Sequence, residues 1–169
     1  MVFGIVDWDK RNHGNERVRV LGLGQRYSIE NYLLDPLAVA ILAYQLRLVG
    51  RDTLALNDEQ TFADLRDFND AQLQLVVDNI CQWLGIATEA AQVQRACAYL
   101  NGRVVQIPVS YLEMRGHDLE QLIKSKSPKF KQYQKDSALK LVILDKVFQE
   151  LPGLLPHDFL ELLRGIQEK

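Results

Sequence analysis

An α/β fold is predicted: an open sheet of short, mostly parallel strands with a helical C-terminal extension and one β-hairpin near residues 95–109. Three features carry that prediction. The chain opens on a continuous apolar run, Val2 to Val6, of the kind found in strands buried on both faces, and the run stops at the acids of Asp7-Trp8-Asp9. Beyond Gly50 the apolar residues recur at helical spacing. Within that helical part, Asn101-Gly102 joins two short apolar segments and supplies the positive φ that both centres of a tight hairpin turn require.

The elements follow in order. Val2 to Val6 reads as a central strand. Asn12-His13-Gly14-Asn15 is a loop signal, and Val18 to Leu21 resumes a second strand. Leu37 to Val49 is dense in apolar residues and free of breakers, which predicts a helix with Pro36 in its first turn. Asn69 or Asp70 caps a helix on which Leu73, Val76, Val77, Ile80 and Leu84 share a face, and Gly85 ends it. Arg95 to Leu100 and Arg103 to Val109 form the hairpin. Helices are expected over Asp118 to Ile123, where His117 could cap, and over Ser137 to Leu151 and His157 to Ile166, with Pro152-Gly153 and Pro156 breaking the last two. The organisation is a sheet-bearing segment over 1–50 and a mainly helical extension over 51–169, packed as one unit.

Composition bounds the partners. With 169 residues, 47% of them hydrophobic and 25% charged, the chain is long enough to bury a core without metal or disulfide staples. A net charge of -2 lacks the overall basic excess of a nucleic-acid binder, so any such contact has to be local. Cys81 and Cys97 stand in apolar stretches without metal-ligand spacing and read as small buried hydrophobes in a reducing compartment. The first apolar run is too short for a secretory signal, and no segment reaches the roughly 20 apolar residues that span a bilayer. A cytoplasmic chain with no membrane partner is expected. Gly22-Leu23-Gly24 lacks both the third glycine of a dinucleotide fingerprint and the Lys-Ser/Thr of a P-loop.

The acids carry the chemistry. Residues two apart on an extended backbone point the same way, so Asp7 and Asp9 are expected to face one point beyond the C-terminal end of the first strand, where open α/β sheets bind ligands. Converging carboxylates repel unless a cation lies between them, and hard oxygen ligands suit Mg²⁺ or Mn²⁺. Glu30 follows the second strand and reaches the same edge if the two strands are neighbours. The blander alternative is that Asp7 opens a polar loop and holds backbone amides. Lys124 to Lys131, with Tyr133 and Lys135 after it, is the one concentrated basic run. It can neutralise phosphates and stack a base, or be an ordinary solvated loop.

The run Phe3 to Asp9, followed by Arg26-Tyr27-Ser28-Ile29-Glu30-Asn31-Tyr32-Leu33-Leu34-Asp35-Pro36, resembles the C-terminal half of a TOPRIM domain. The likeness is to those attached to ABC-type ATPases in overcoming-lysogenisation-defect (OLD) nucleases and related phage-defence proteins. The resemblance is specific over residues 2–36 and broad beyond them. It implies a divalent-metal-dependent DNA phosphodiesterase in which Asp7, Asp9 and Glu30 are catalytic metal ligands and Ser28 orients the site. A lysine of the helical tail assists, with Lys124, Lys126 and Lys129 the candidates; Lys126, Lys129 and Lys131 would contact DNA. The family also uses a glutamate on an earlier strand, which has no counterpart here. A partner, an ABC-type ATPase domain or chain, is therefore expected to supply the other half. An apolar edge beside Val2 to Val6 would favour such pairing or a homo-oligomer.

Two other readings stand beside this one. A non-catalytic remnant could bind an ATPase or nucleic acid without cutting. A haloacid-dehalogenase-like phosphatase would use Asp7 as nucleophile and Asp9 as general acid, although Lys10-Arg11 follows where that family continues differently. His13 and His157 read as solvated or helix-start residues, Trp8 as packing, and Trp83 as core.

Overall fold

The computed structural model describes residues 4–86, 93–133, 135 and 137–160. It is mixed α/β and mainly helical. Strands β1 (Gly4–Asp7) and β2 (Val18–Leu21) pair in parallel, with Gly4 opposite Val18 and Asp7 opposite Leu21. Strands β3 (Gln94–Ala98) and β4 (Val104–Pro108) form the antiparallel hairpin. The helices are α1 (Glu30–Leu33), α2 (Pro36–Gln45), α3 (Asp70–Leu84), α4 (Val109–Leu112), α5 (Gly116–Ser125), α6 (Pro128–Lys131) and α7 (Ala138–Ile143). A π-turn over Leu144–Phe148 prolongs α7. A helix also starts at 157–160; the remainder of the expected 157–166 helix, like Val2 and Phe3, lies outside the described residues.

Local chemistry sets the boundaries. Asp35 is the N-cap of α2, its side chain accepting from the Leu37 amide, and Pro36 occupies the first turn, where a missing N–H costs nothing. The helix stops at Gln45 rather than Val49, because the chain turns through Arg47 at φ 56°. Asn69 and Gln72 form a reciprocal capping box on α3, and Gly85, at φ 77°, closes it. At α5 the cap position is Arg115, without a side-chain cap bond, so His117 lies inside the helix and does not cap it.

The hairpin turn differs from the predicted two-residue form. Only Gly102 is left-handed, at φ 80°, while Asn101 is not. The Gly102 amide donates to Tyr99 O, the Tyr99 amide donates to Arg103 O, and Asn101 Oδ1 accepts from the Arg103 amide. This is a three-residue loop with one left-handed glycine, which needs a single positive φ.

The larger correction concerns β1. Among the described residues it pairs only with β2, and Ile5 and Val6 are 43% and 37% exposed, so it is not a central strand buried on both faces. The hydrophobic core instead runs from Leu33 to Leu154 and crosses residue 50 without a break: α2, buried over Pro36 to Ala43, packs on α3 and on the π-turn region, and α3 in turn packs on β4. Cys81 is buried in it, and burial pushes its thiol up to about 12; Cys97, half-buried, is pushed up to about 11 for the same reason. Both are poor nucleophiles at neutral pH. Trp83 is partly buried against this core, tilted over Phe130 at 6.4 Å.

Candidate functional site

The acids sit where β1 leaves the sheet. The strand ends at Asp7, and the chain turns at once through Asp9 (φ 38°) and Lys10 (φ 60°), a conformation that short polar side chains tolerate best. Trp8 O accepts from the amides of Arg11 and Asn12, and Asn12 Nδ2 donates to Asp7 O at 2.8 Å. Strand alternation therefore stops at Asp7, and the expectation that Asp9 points with it on extended backbone does not hold. What places Asp9 is its amide, which donates to Tyr27 O at 2.8 Å, while Tyr27 N donates to Leu112 O.

Asp7 does hold a backbone amide: its Oδ1 accepts from Ile29 N at 2.9 Å, at the start of α1. Burial pushes the Asp7 carboxyl above its usual value. The Ile29 amide opposes this, and the negative charges of Glu30 and Asp9 add to it. Asp7 thus feels the charge of both other acids. Asp9 Oδ1 is buried and has no hydrogen-bond partner among the described residues.

Glu30 is engaged on both oxygens. The Ser28 hydroxyl lies 2.7 Å from Oε2 and 3.0 Å from Asn31 Oδ1, and its single proton serves one of them at a time. Lys140 Nζ, from α7, donates to Oε1 at 3.2 Å. Burial would raise the Glu30 carboxyl, but Ser28 and Lys140 outweigh it and hold it below the usual value. Lys140 also reaches Glu120 Oε2 at 3.3 Å, and Lys124 Nζ lies 2.6 Å from Glu120 Oε1, an ion pair whose angles fall short of a hydrogen bond. The result is a chain of alternating charge, Glu30, Lys140, Glu120, Lys124.

Helix α5 closes the site through a glycine. A Cβ at Gly116 would fall 2.4 Å from Ser28 Oγ and 2.7 Å from Glu30 Cβ, so any side chain there displaces both. Gly116→Ala is expected to cost about 1–2 kcal/mol by overpacking. Urea melts check the figure, and a stability within 0.3 kcal/mol of the parent would show the contact to be loose.

The expected residues fare differently. Asp7, Asp9, Ser28 and Glu30 come together at one end of β1. Lys124 belongs to the adjacent ion network but contacts Glu120, not the acids of β1. Lys129 Nζ donates to Leu46 O at the C-terminal end of α2, a helix-capping role in which a cation meets the negative end of the dipole. Lys126 is exposed, 3.7 Å from a Cβ placed at Gly85. The Lys131 side chain lies outside the described set.

Two contributors were not anticipated. Lys140 carries no motif and becomes visible only when α7 folds over α1. Asn31 is fully buried: Oδ1 accepts from Ser28 N, and Nδ2 donates to Met114 O at 3.0 Å and Tyr111 O at 3.3 Å, pinning the loop before Glu30 to α4. Beneath this loop, Arg26 and Asp35 form an ion pair at 3.0 Å with both side chains almost wholly buried. Arg26 Nη1 also donates to Asn31 O, and Tyr99 Oη donates to Asp35 Oδ1 at 2.9 Å. Burial works against the guanidinium charge, but Asp35 outweighs it and keeps Arg26 above its usual range. Pro36 in the first turn of α2 was legible in the sequence; the cap Asp35 and its partner Arg26 were not anticipated.

A divalent cation would have two oxygens to use here, the orphaned Asp9 Oδ1 and the Asp7 oxygen that Ile29 leaves unbonded. Their hardness suits Mg²⁺ or Mn²⁺. Among the described residues no group of three or more His, Cys, Asp or Glu side chains is arranged to hold a metal. The concavities of about 490 Å³ beside Tyr44 and Phe62 and about 430 Å³ beside Asn101 and Pro152 include none of the three acids. No protein-family model, no curated protein and no solved structure matches the chain.

Proposed function

We propose that the chain carries part of a TOPRIM-type, divalent-metal-dependent DNA nuclease centre. The observation that carries this reading is the orphaned, buried carboxylate oxygen of Asp9 beside Asp7 at the end of β1. An uncompensated buried acceptor costs about 1–3 kcal/mol, and a cation is the partner that would repay it. Asp7 and Asp9 would hold Mg²⁺ or Mn²⁺. Bound there, the ion would supply Lewis-acid charge stabilisation and a hydroxide nucleophile for phosphodiester hydrolysis.

The chain's own residues do the positioning. Ile29 N fixes one Asp7 oxygen, Tyr27 O fixes the turn at Asp9, and Ser28 with Lys140 holds Glu30 ionised beside them. Lys140 takes the role expected of Lys124, a cation of the helical tail next to the acids. With two free oxygens the site is under-coordinated, so a further carboxylate from an ATPase-linked partner, paired along the exposed edge of β1, completes it.

A calorimetric titration tests the core of this reading. Mn²⁺ should bind saturably to the chain, and the Asp7→Asn, Asp9→Asn variant should show no binding heat. An unchanged isotherm in the variant removes the site. The competing reading, an interaction remnant without chemistry, draws on the full engagement of Glu30 by Ser28 and Lys140. It requires that neither protein bind Mn²⁺ at millimolar concentration, with or without the partner.

A further inference from the structure

Three arginines surround the acids, and none belongs to the lysine-rich tail. Arg11 stands two residues beyond Asp9, in the turn whose amides fold onto Trp8 O. Arg19 lies on β2 opposite Ile5, on the face that Asp7 shares, and strand spacing and rise put its Cα about 8 Å from that of Asp7. Arg115 directly precedes Gly116, whose Cα is wedged against Ser28 and Glu30. All three are exposed, and none forms an ion pair among the described residues.

The cations elsewhere are largely committed. Lys124 and Lys140 are bound to Glu120, Lys129 caps α2, and Arg95 and Lys10 both hold Glu113 at 2.9 and 2.7 Å. The segment from Lys10 to Arg19 holds four basic residues against one acid in a chain of net charge -2. Beside it, on β2, a concavity of about 380 Å³ is lined by Arg19, the acid Glu16, Asn15, Val18, Val20 and the exposed Leu23. Its walls pair a phosphate-binding cation with apolar surface on which a sugar or base can rest.

We infer that Arg11, Arg19 and Arg115 form the nucleic-acid backbone contact of this protein, seating phosphates on both sides of the Asp7–Asp9–Glu30 cluster. The inference rests on the reading of that cluster as a nuclease centre and replaces the Lys126 to Lys131 run as the substrate surface. Its physical need is plain. Three carboxylates repel a polyanion, and a rim of exposed arginines, each able to engage a phosphate through two N–H groups, offsets that repulsion without crossing the acids.

The test is binding of fluorescent single-stranded and duplex DNA to the full chain in EDTA across 50–200 mM salt. Arg11→Glu, Arg19→Glu and Arg115→Glu are compared with Lys126→Glu, which makes the same change in net charge. All four positions are exposed, and thermal melts confirm folding. Each arginine variant should weaken binding roughly tenfold at 0.1 M salt and lower the log–log salt slope by about 0.7 for single strands or 0.9 for duplex, while Lys126→Glu stays within twofold. Equal weakening by Lys126→Glu, or a parent that binds neither DNA at 50 mM salt, would each overturn the assignment. Because metal is excluded, the result is separable from the Mn²⁺ titration: arginine dependence can survive the loss of the metal site, and the metal site can survive the loss of arginine dependence.

Discussion

Asp35→Ala should destabilise the protein by about 3–5 kcal/mol in urea or thermal melts, the largest single-residue effect expected here. Three losses coincide. Arg26 is left charged and unpaired at 1% exposure, Tyr99 Oη loses its acceptor, and α2 loses its N-cap at the Leu37 amide. The first dominates, because removing one member of a buried ion pair strands the other in a medium that cannot solvate it. A paired change separates the causes. Arg26→Met with Asp35→Asn removes both charges yet keeps an oxygen for Leu37 N and Tyr99 Oη, and should be less destabilising than Asp35→Ala alone. If the double variant is the worse of the two, the pair contributes through its attraction and not merely through the cost of breaking it.

That buried pair also shows where sequence reasoning stops. Caps and breakers are local, so Asn69 or Asp70 as a helix cap, Pro36 in a first turn and Gly85 at a helix end could be read directly, and the structure has Asn69 as the cap. The acids of β1 were legible because an apolar run ending in two carboxylates is an uncommon pattern, and Ser28 and Glu30 were legible through the resemblance. Two kinds of information were missing. Long-range partners such as Lys140 for Glu30, 110 residues apart, leave no periodic trace. Burial of a strand depends on what covers it, so the apolar composition of Val2 to Val6 predicted a central strand, whereas the described β1 has one neighbour and exposes Ile5 and Val6. Charge density along the lysine run likewise says nothing about which ammonium groups are already engaged: Lys129 donates to the end of α2, while Lys126 is exposed.

The same distinction governs Lys140. Replacing it with Met keeps most of the stem but leaves Glu30 and the nearly buried Glu120 facing one another without the intervening ammonium, which should cost about 2–3 kcal/mol at pH 7. The cost should depend on pH in a definite sense. Glu30 is held below its ordinary carboxyl value by Ser28 and Lys140 against burial, so its contribution is present above the unfolded carboxyl range near 4.3 and disappears as pH falls through the lower folded value. Lys140 is held above its ordinary value, burial being outweighed by Glu30 and Glu120, so its contribution is full below about 10.4 and disappears as pH rises through the higher folded value. The stability gap between parent and Lys140→Met should therefore form a plateau from about pH 5 to 10 and close on the acid side as Glu30 protonates. A gap that persists undiminished at pH 3 would mean that Lys140 acts through the packing of its stem alone. The variant also frees Glu30 Oε1, so on the metal-site reading Mn²⁺ should bind Lys140→Met more tightly than the parent, while Asp7→Asn, Asp9→Asn abolishes binding. Tighter binding would place Glu30 within reach of the cation that Asp7 and Asp9 hold, and unchanged affinity would confine the ion to those two aspartates.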